Sequence, residues 1–469
     1  MNPIKNWLKY LSVTTFNVVI ALLFFIITAK VTDPQFFGRV AIIQLLEVIV
    51  ATIFFFLPGG IVTREISYFY AKGEHKPYVK KFLTIPFVAL PFLLVLLAFP
   101  HYIQLVIPYL FLYLFTLVER SEMLGMDMFT ENAITGITFL AIRWGISIIA
   151  VLLHNLNLFI GIWTVGGVIS TSLNYFFISR KIGFVFPDFD VRFLIKTFKE
   201  SLPLFLSNAA NFLSTQGDRV TTSYLLGSYY LGIYQFSALV ASVPSMFLSS
   251  LSNVILPTAS FYNALGKDDR RISSISFRVA ALLTLLAVIV FIPVGEMVIL
   301  KFFPDYSPGV SAFVLLVIAS SLTFPIGVLG TLIVAFKRDL RPFLVLTTLN
   351  AFTVLTTSFL LIPRIGIVGG ALSQIIASTI SSTFTLFYAL RERVFFPTAK
   401  EYAILSILPL VGIYEVFVDP PFLDVLLLIA VLLAFKFLGI IERGDVELIG
   451  KFLPRALGFV YKILFILSK

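Results

Sequence analysis

The sequence predicts an all-α integral membrane protein with about fourteen transmembrane helices. Three observations support this fold class: the composition, the spacing of long apolar runs, and the distribution of basic residues between those runs. Of the 469 residues, 59% are hydrophobic and 13% are charged, whereas an average soluble domain has about 25% charged residues. A soluble core of this length does not need so much apolar surface, which indicates that lipid is the surrounding solvent.

The composition also limits the chemistry of the chain. It has no cysteine, which excludes disulfides, thiolate metal sites and cysteine nucleophiles. His75, His101 and His154 lie far apart, so neither a metal nor another cofactor is expected. The net charge is +10, but the basic residues lie between apolar runs and form no continuous basic domain. This favours an anionic membrane surface over nucleic acid as the partner.

Fourteen apolar runs are long enough to cross a bilayer, which requires about 20 mostly apolar residues. Several end at prolines, as at Asp33-Pro34 and Asp419-Pro420-Pro421, where a helix can stop near the membrane surface. The predicted spans are 11–31, 37–63, 80–99, 102–119, 131–153, 157–179, 202–226, 230–256, 275–300, 310–336, 342–362, 366–390, 401–418 and 422–441.

Lys and Arg lie mainly on one side of these spans. With the amino terminus in the cytoplasm, twenty-eight lie in cytoplasmic segments, four in outer segments and three inside spans. Cytoplasmic loops of membrane proteins carry an excess of Lys and Arg. The asymmetry therefore predicts a multi-pass protein of the plasma (inner) membrane with both termini in the cytoplasm.

The two halves of the chain resemble each other. Phe37-Gly38 opens the second span and Leu231-Gly232 opens the eighth, while Val165-Gly166-Gly167 in the sixth span recurs as Val368-Gly369-Gly370 in the twelfth. Six spans separate the copies, so both halves enter the membrane in the same sense. Parallel repeats of this kind are typical of transporters in which two bundles enclose a central cavity.

The repeat divides the chain into four predicted parts. Residues 1–200 form an N-lobe with spans one to six, and residues 201–396 form a C-lobe with spans seven to twelve, the two six-helix lobes surrounding a central cavity. Residues 397–442 carry two extra helices. Residues 443–469 mix basic and large apolar side chains, which predicts an amphipathic helix on the cytoplasmic membrane surface.

Two segments resemble a known family. They are VTDPQFFGRVAIIQ at 31–44 and GDRVTTSYLLGSYYLGIYQFSA at 217–238. With the six-plus-six-plus-two arrangement of spans, they are similar to the polysaccharide-transporter branch, with its O-antigen-type flippases, of the multidrug/oligosaccharidyl-lipid/polysaccharide (MOP) exporter superfamily. The resemblance implies two lobes facing a cavity. It also implies that undecaprenyl- or dolichol-linked oligosaccharides are flipped from the cytoplasmic to the outer leaflet.

Arg143 is the leading candidate for substrate binding. It lies about halfway along the fifth span, where a charge is costly and needs a reason. A guanidinium that faces a cavity can bind phosphate or pyrophosphate oxygens through two parallel hydrogen bonds, and the alternative is a structural ion pair between helices. Glu47, deep in the second span, is predicted to balance an arginine or to carry a coupling proton. Arg64, where that span leaves the membrane, is a further substrate-binding candidate or an interfacial anchor.

A second set of candidates lies in the seventh span. Arg219 follows Asp218, and adjacent helical residues do not face one another, so the two are expected to have different partners. Asp218 is predicted to balance charge or couple an ion. Asn208 and Asn211 share one helix face, and with Gln216 they are predicted to contact substrate in the cavity, although a helix interface is the alternative.

A short acidic stretch follows the fourth span. It contains Glu119, Glu122, Asp127 and Glu131 with Arg120 as its one base. We expect these residues to be solvated in a cytoplasmic connection, and a contact with an enzyme that delivers substrate is the alternative.

These features predict a flippase that moves a polyprenyl-(pyro)phosphate-linked oligosaccharide outward by alternating access, for cell-surface polysaccharide or glycan biosynthesis. A monomer in contact with membrane lipids is expected, and coupling to H⁺ or Na⁺ is left open. A cation-coupled multidrug antiporter of the same superfamily is the alternative, but the first span contains no acidic residue. An enzyme, such as a membrane polymerase or ligase of sugar chains, is disfavoured. The sequence shows no nucleophile–histidine set, paired-carboxylate site or phosphate-binding glycine loop.

Overall fold

The computed structural model describes residues 3–264, 269–337, 341–417 and 421–443, together with residues 446, 465 and 468. Within this part of the chain the regular structure is helical and includes no β-strand. The predicted all-α fold class is therefore confirmed. The amphipathic helix predicted for 443–469 lies almost entirely outside the described residues.

The helices belong to two compact units, Met1–Phe212 and Leu213–Lys469. The α-helices that lie wholly in the first unit are α1 Pro3–Val31, α2 Pro34–Ile49, α3 Gly59–Ala71, α4 Lys76–Phe82, α5 Ile85–Leu94, α6 His101–Gln104, α7 Ile107–Gly125, α8 Phe129–Leu140, α9 Ser147–Leu152 and α10 Leu156–Ile182.

The next helical element, α11 Val191–Ala264, contains the boundary between the units and is interrupted at Gly227. Gly227 has φ 80° and ψ −175°, a backbone conformation that glycine adopts readily. The remaining helices of the second unit are α12 Asp269–Phe302, α13 Val310–Lys337, α14 Arg341–Ile365, α15 Ile367–Arg391, α16 Ala399–Phe417 and α17 Pro421–Phe437.

Ten helical segments among the described residues are long and apolar enough to cross a membrane. They correspond to the first six predicted spans and to the ninth to twelfth. The seventh and eighth predicted spans lie within α11, and the last two correspond to α16 and α17. The count of fourteen therefore stays a prediction. The ten segments are Val13–Val31, Pro34–Phe54, Lys76–Ala98, His101–Gly125, Phe129–Leu152, Leu156–Ile182, Ser273–Phe302, Pro304–Ile333, Phe343–Ile365 and Ile367–Arg391.

The second span ends earlier than the sequence suggests. The prediction extends one helix over 37–63, whereas the helical segment ends at Phe54 and α3 starts anew at Gly59. Pro58 precedes α3 with φ −51° and ψ 134°, and a proline supplies no backbone N–H to continue a helix. Arg64 consequently lies on a different helix from Glu47.

Helices α7 and α10 pack side by side in the first unit. The Thr116 and Thr171 hydroxyls lie 3.3 Å apart, and the Lys181 ammonium donates to the Met126 carbonyl at 2.5 Å. Both contacts join residues 55 positions apart. The two helices therefore run parallel in a constant register.

The repeated glycines lie at close helix contacts in both units. A Cβ on Gly166 would lie 3.0 Å from Ile142, and one on Gly167 would lie 3.1 Å from Leu112. In the second unit a Cβ on Gly369 would lie 2.6 Å from the Leu361 carbonyl carbon. The recurring Gly-Gly pair thus permits close packing in each unit, because a larger side chain would meet its neighbour.

Candidate functional site

Arg143 and Glu47 form a buried ion pair in the first unit. Glu47 lies on α2, and Arg143 lies in a π-helical turn, Ala141–Ile146, between α8 and α9. The Arg143 Nη2 donates to Glu47 Oε2 at 2.5 Å, with the side chains 12% and 5% exposed. Single π-turns inside α-helices insert an extra residue and are frequent at functional sites.

Aromatic rings enclose the Arg143 guanidinium. Its Cζ lies 4.2 Å from the Trp144 ring centroid and 4.5 Å from that of Trp163, within the range of about 6 Å for cation–π attraction. Trp163 Nε1 also donates to the Arg143 carbonyl oxygen at 3.0 Å, and Trp144 Nε1 donates to Asn17 at 3.0 Å. These bonds fix the rings that hold the arginine.

The pair leaves part of the guanidinium unused. Tyr109 and Tyr113 lie beside the Glu47 carboxylate and are within electrostatic reach of Arg143. The buried Arg143 Nε has no hydrogen-bond partner among the described residues. A guanidinium carries five N–H donors, so Arg143 retains capacity to bind an oxyanion while it is paired with Glu47.

A second cluster surrounds Asp218 in the second unit. Asp218 is 2% exposed and accepts a hydrogen bond from the Tyr234 hydroxyl. Arg219 Nη1 donates to Gln216 Oε1 at 2.6 Å, whereas its buried Nε has no partner among the described residues. Asp218 and Arg219 therefore use different side-chain partners, and three of the predicted site residues lie together here.

The other predicted site residues are more exposed. Asn208 and Asn211 lie on exposed positions of α11 within the first unit. Arg64 lies on α3 with its side chain 61% exposed, and it donates to Glu65 at 2.6 Å. Arg64 therefore does not join the Arg143–Glu47 pair.

The acidic stretch after the fourth span differs from its prediction. Helix α7 continues to Gly125, and Glu119 and Glu122 are 1% and 0% exposed. The expectation of solvated residues is wrong for these two, because the helix extends past the apolar run and their side chains lie among packed helices. Their i, i+3 spacing, which places both on one helix face, is the sequence signal that could have identified them.

The described residues include no group of three or more His, Asp or Glu side chains that could hold a metal ion. The site in the first unit is therefore a cation–carboxylate pair inside an aromatic enclosure. Such a group can bind an anion through its guanidinium.

Residues 45–262 match the family model described as "Polysaccharide biosynthesis protein". A curated relative, the capsular polysaccharide biosynthesis protein CapF of Staphylococcus aureus, is 29% identical over 216 residues. The alignment covers 43% of this chain and 52% of CapF, so the chain spans about half the length of the curated relative that it matches.

Two solved structures share the fold over most of their length. The lipid II flippase MurJ in an inward closed conformation has a TM-score of 0.64 at 16% identity, covering 90% of this chain and 96% of MurJ. An inward-facing multidrug resistance MATE family transporter of the MOP superfamily has a TM-score of 0.58 at 12% identity, with 80% and 94% covered. The family model and the curated relative support the resemblance identified from the sequence, and the two solved structures show a shared fold.

Proposed function

We propose that this chain, a multi-pass membrane protein of the polysaccharide-transporter branch of the MOP superfamily, is a flippase for a lipid-linked glycan. Its substrate would be a polyprenyl-(pyro)phosphate-linked oligosaccharide, moved from the cytoplasmic to the outer leaflet of the plasma membrane. The polysaccharide family model and the fold shared with a lipid II flippase support a transporter rather than an enzyme.

Arg143 carries the proposal. It is a cation inside a membrane-spanning segment, and such residues usually mark a substrate or ion pathway. Its side chain is still 12% exposed, and a guanidinium with donors left over from the Glu47 contact suits a phosphate or pyrophosphate oxygen. Glu47 reduces the cost of keeping the guanidinium charged in lipid before substrate arrives.

The proposed mechanism is alternating access by a monomer. The anionic headgroup binds the arginine while the prenyl tail remains in lipid, and the binding site then opens to the other side. In a cell that is negative inside, moving one negative charge outward is favoured by about 2.3 kcal/mol per 100 mV. The membrane potential can therefore assist the transport step.

A flux assay in proteoliposomes tests this proposal. A fluorescent polyprenyl-pyrophosphate sugar is placed in one leaflet of vesicles that contain the wild-type protein. It should become accessible to a quencher at the opposite leaflet, and Arg143→Ala should reduce the rate of this transfer at least tenfold. Arg192→Ala is the matched control, because Arg192 is exposed on α11 and lies outside the site. Full flux in a correctly folded Arg143→Ala protein would refute the role of Arg143.

Transport assays in the same vesicles distinguish a flippase from a multidrug antiporter. The fold alone does not distinguish the two classes, because it is shared with a lipid II flippase and with a multidrug resistance transporter at similarly low sequence identity. An antiporter would export cationic drugs against a cation gradient and would not move the lipid-linked sugar. Drug export without sugar flipping would therefore reject the proposed function.

A further inference from the structure

Two carboxyl groups of the first unit, those of Glu119 and Glu122, are buried inside the protein. Glu119 Oε2 and both Glu122 side-chain oxygens have no hydrogen-bond partner among the described residues. The two residues lie three positions apart on α7 and are within electrostatic reach of each other. A buried, unsatisfied carboxylate is costly, and a second one beside it raises the cost.

A buried amide faces them from α10. The 55-residue register between α7 and α10 places Asn174 opposite Glu119, and its side chain lies beside that carboxyl group. Asn174 is 0% exposed and interacts with the Glu119 carboxyl group, but neither its Oδ1 nor its Nδ2 meets the geometric criteria of a hydrogen bond to another described residue. A neutral amide can contribute an oxygen ligand to a bound cation.

The charged residues on the helices around this cluster are few. Helices α3, α5, α8 and α10 pack against α7. Helix α5 carries no charged residue, and the other three carry Arg64, Glu65, Glu131, Arg180 and Lys181.

The nearest basic groups bind elsewhere. Arg120 on α7 itself donates to Asn132 at 3.1 Å, Lys181 donates to the Met126 carbonyl, and Arg64 donates to Glu65. No basic residue of the described chain makes an ion pair with Glu119 or Glu122 under a 4.0 Å limit. Among the residues whose side chains the structure describes, this cluster therefore has acceptor oxygens and no ion-paired basic group.

We propose that Glu119, Glu122 and Asn174 form a binding site for one small hard cation, H⁺ or Na⁺. Carboxylate and amide oxygens are the ligands that hard cations prefer, and a bound proton or sodium ion would reduce the negative charge that burial penalises. The site, here called the α7 acid site, lies on different side chains from the Arg143–Glu47 pair.

The α7 acid site would be the place where a cation is coupled to transport, a role that rests on the proposed function. Glu47 and Asp218, the candidates from the sequence, already have an arginine and a tyrosine hydroxyl as partners. Glu119 Oε2 and both Glu122 oxygens have no hydrogen-bond partner among the described residues, so these carboxyl groups have more to gain from an external cation. Binding itself does not depend on the identity of the transported molecule.

Thermal unfolding of the full-length protein in detergent, without transport substrate, tests the site. At constant ionic strength, exchanging choline for Na⁺ should raise the wild-type Tm by about 2 to 5 °C if Na⁺ is the ligand. If H⁺ is the ligand, the same rise should follow acidification from pH 8 to pH 6 without any effect of Na⁺. The Glu119→Gln/Glu122→Gln double variant should lose this response, and the exposed acid variant Glu74→Gln should keep it.

Asn174→Leu provides a second variant that retains both carboxyl groups. It should weaken the Na⁺ or proton response at least threefold, measured as the concentration that gives half of the Tm rise. Identical responses in wild type and the double glutamine variant, or no response in wild type, would overturn the α7 acid site. If the wild-type protein shows the cation response but moves no lipid-linked sugar, that result would count against the proposed function alone.

Discussion

Each unit contains a buried arginine–glutamate pair, and the two pairs differ in how completely they are satisfied. In the first unit, Arg143 binds Glu47 at 2.5 Å, and its Nε has no hydrogen-bond partner within the part of the chain that the structure describes. In the second unit, Arg278 on α12 binds Glu401 on α16 at 2.6 Å, and Arg278 Nη1 also donates to the Ile440 carbonyl at 3.1 Å.

Glu401, the glutamate of the second pair, is fully hydrogen-bonded. Glu401 Oε2 accepts a hydrogen bond from the Thr398 backbone N–H at 2.8 Å and another from the Thr398 hydroxyl, while Oε1 binds Arg278. Both of its oxygens are used, which fits a purely structural pair that holds the start of α16 against α12. A fully bonded ion pair has little left to offer a ligand, whereas the incompletely bonded Arg143 has free donor capacity. The comparison separates a structural arginine from a candidate binding arginine.

The largest expected effect is on the structural pair. Glu401→Ala should lower the free energy of unfolding by about 3 to 5 kcal/mol, because Arg278 would stay buried without its counter-charge. Chemical denaturation in detergent measures the change. Asp305→Ala, which removes an exposed carboxylate from the same unit, should have little effect. An equal loss in both variants would show that the second unit does not depend on this pair.

Tyr234→Phe should have the next largest effect. It removes the hydroxyl that donates to the buried Asp218 carboxylate, and leaving such an acceptor unsatisfied costs about 1 to 3 kcal/mol. Asp218→Asn in the same background should recover part of the loss, since a neutral amide is less costly to bury. Denaturation of the single and double variants checks the coupling, and additive losses would contradict it.

Arg143→Lys should separate binding from stability. Lysine keeps the charge opposite Glu47, so the free energy of unfolding should fall by only about 1 kcal/mol, the size of a lost cation–π contact. Glycan flux should nevertheless fall at least fivefold, because an ammonium lacks the planar donors that bind a phosphate in a bidentate manner. If Arg143→Lys loses several kcal/mol of stability and retains full flux, Arg143 is a structural arginine like Arg278 and does not bind the substrate.

The smallest effect is expected at Arg64. Its pair with Glu65 joins neighbouring residues at the surface of α3, and the arginine side chain is 61% exposed. Arg64→Gln should change the free energy of unfolding by no more than about 0.5 kcal/mol. If the flux also stays at the wild-type level, Arg64 is an anchor; a loss of flux with unchanged stability would place it in the substrate path.

The amino-acid sequence is sufficient to identify lipid as the solvent of this protein and to locate many of its helices. Lipid selects apolar side chains along every span, so each span can be identified without knowledge of its neighbours. Ten of the predicted spans correspond to long apolar helices among the described residues. The Gly-Gly repeats likewise gave a local signal, because close helix packing at these positions needs a residue without a side chain.

The partners of the charged residues, in contrast, are visible only once the helices are packed in three dimensions. Arg143 pairs with a glutamate 96 positions away, and Arg278 pairs with one 123 positions away. Glu119 and Glu122 are buried because α7 extends to Gly125 among packed helices. Composition reports whether a segment prefers lipid, but the rotation and register of each helix against its neighbours decide which side chains meet. Those quantities depend on the packing of the whole unit and are not encoded in any single span.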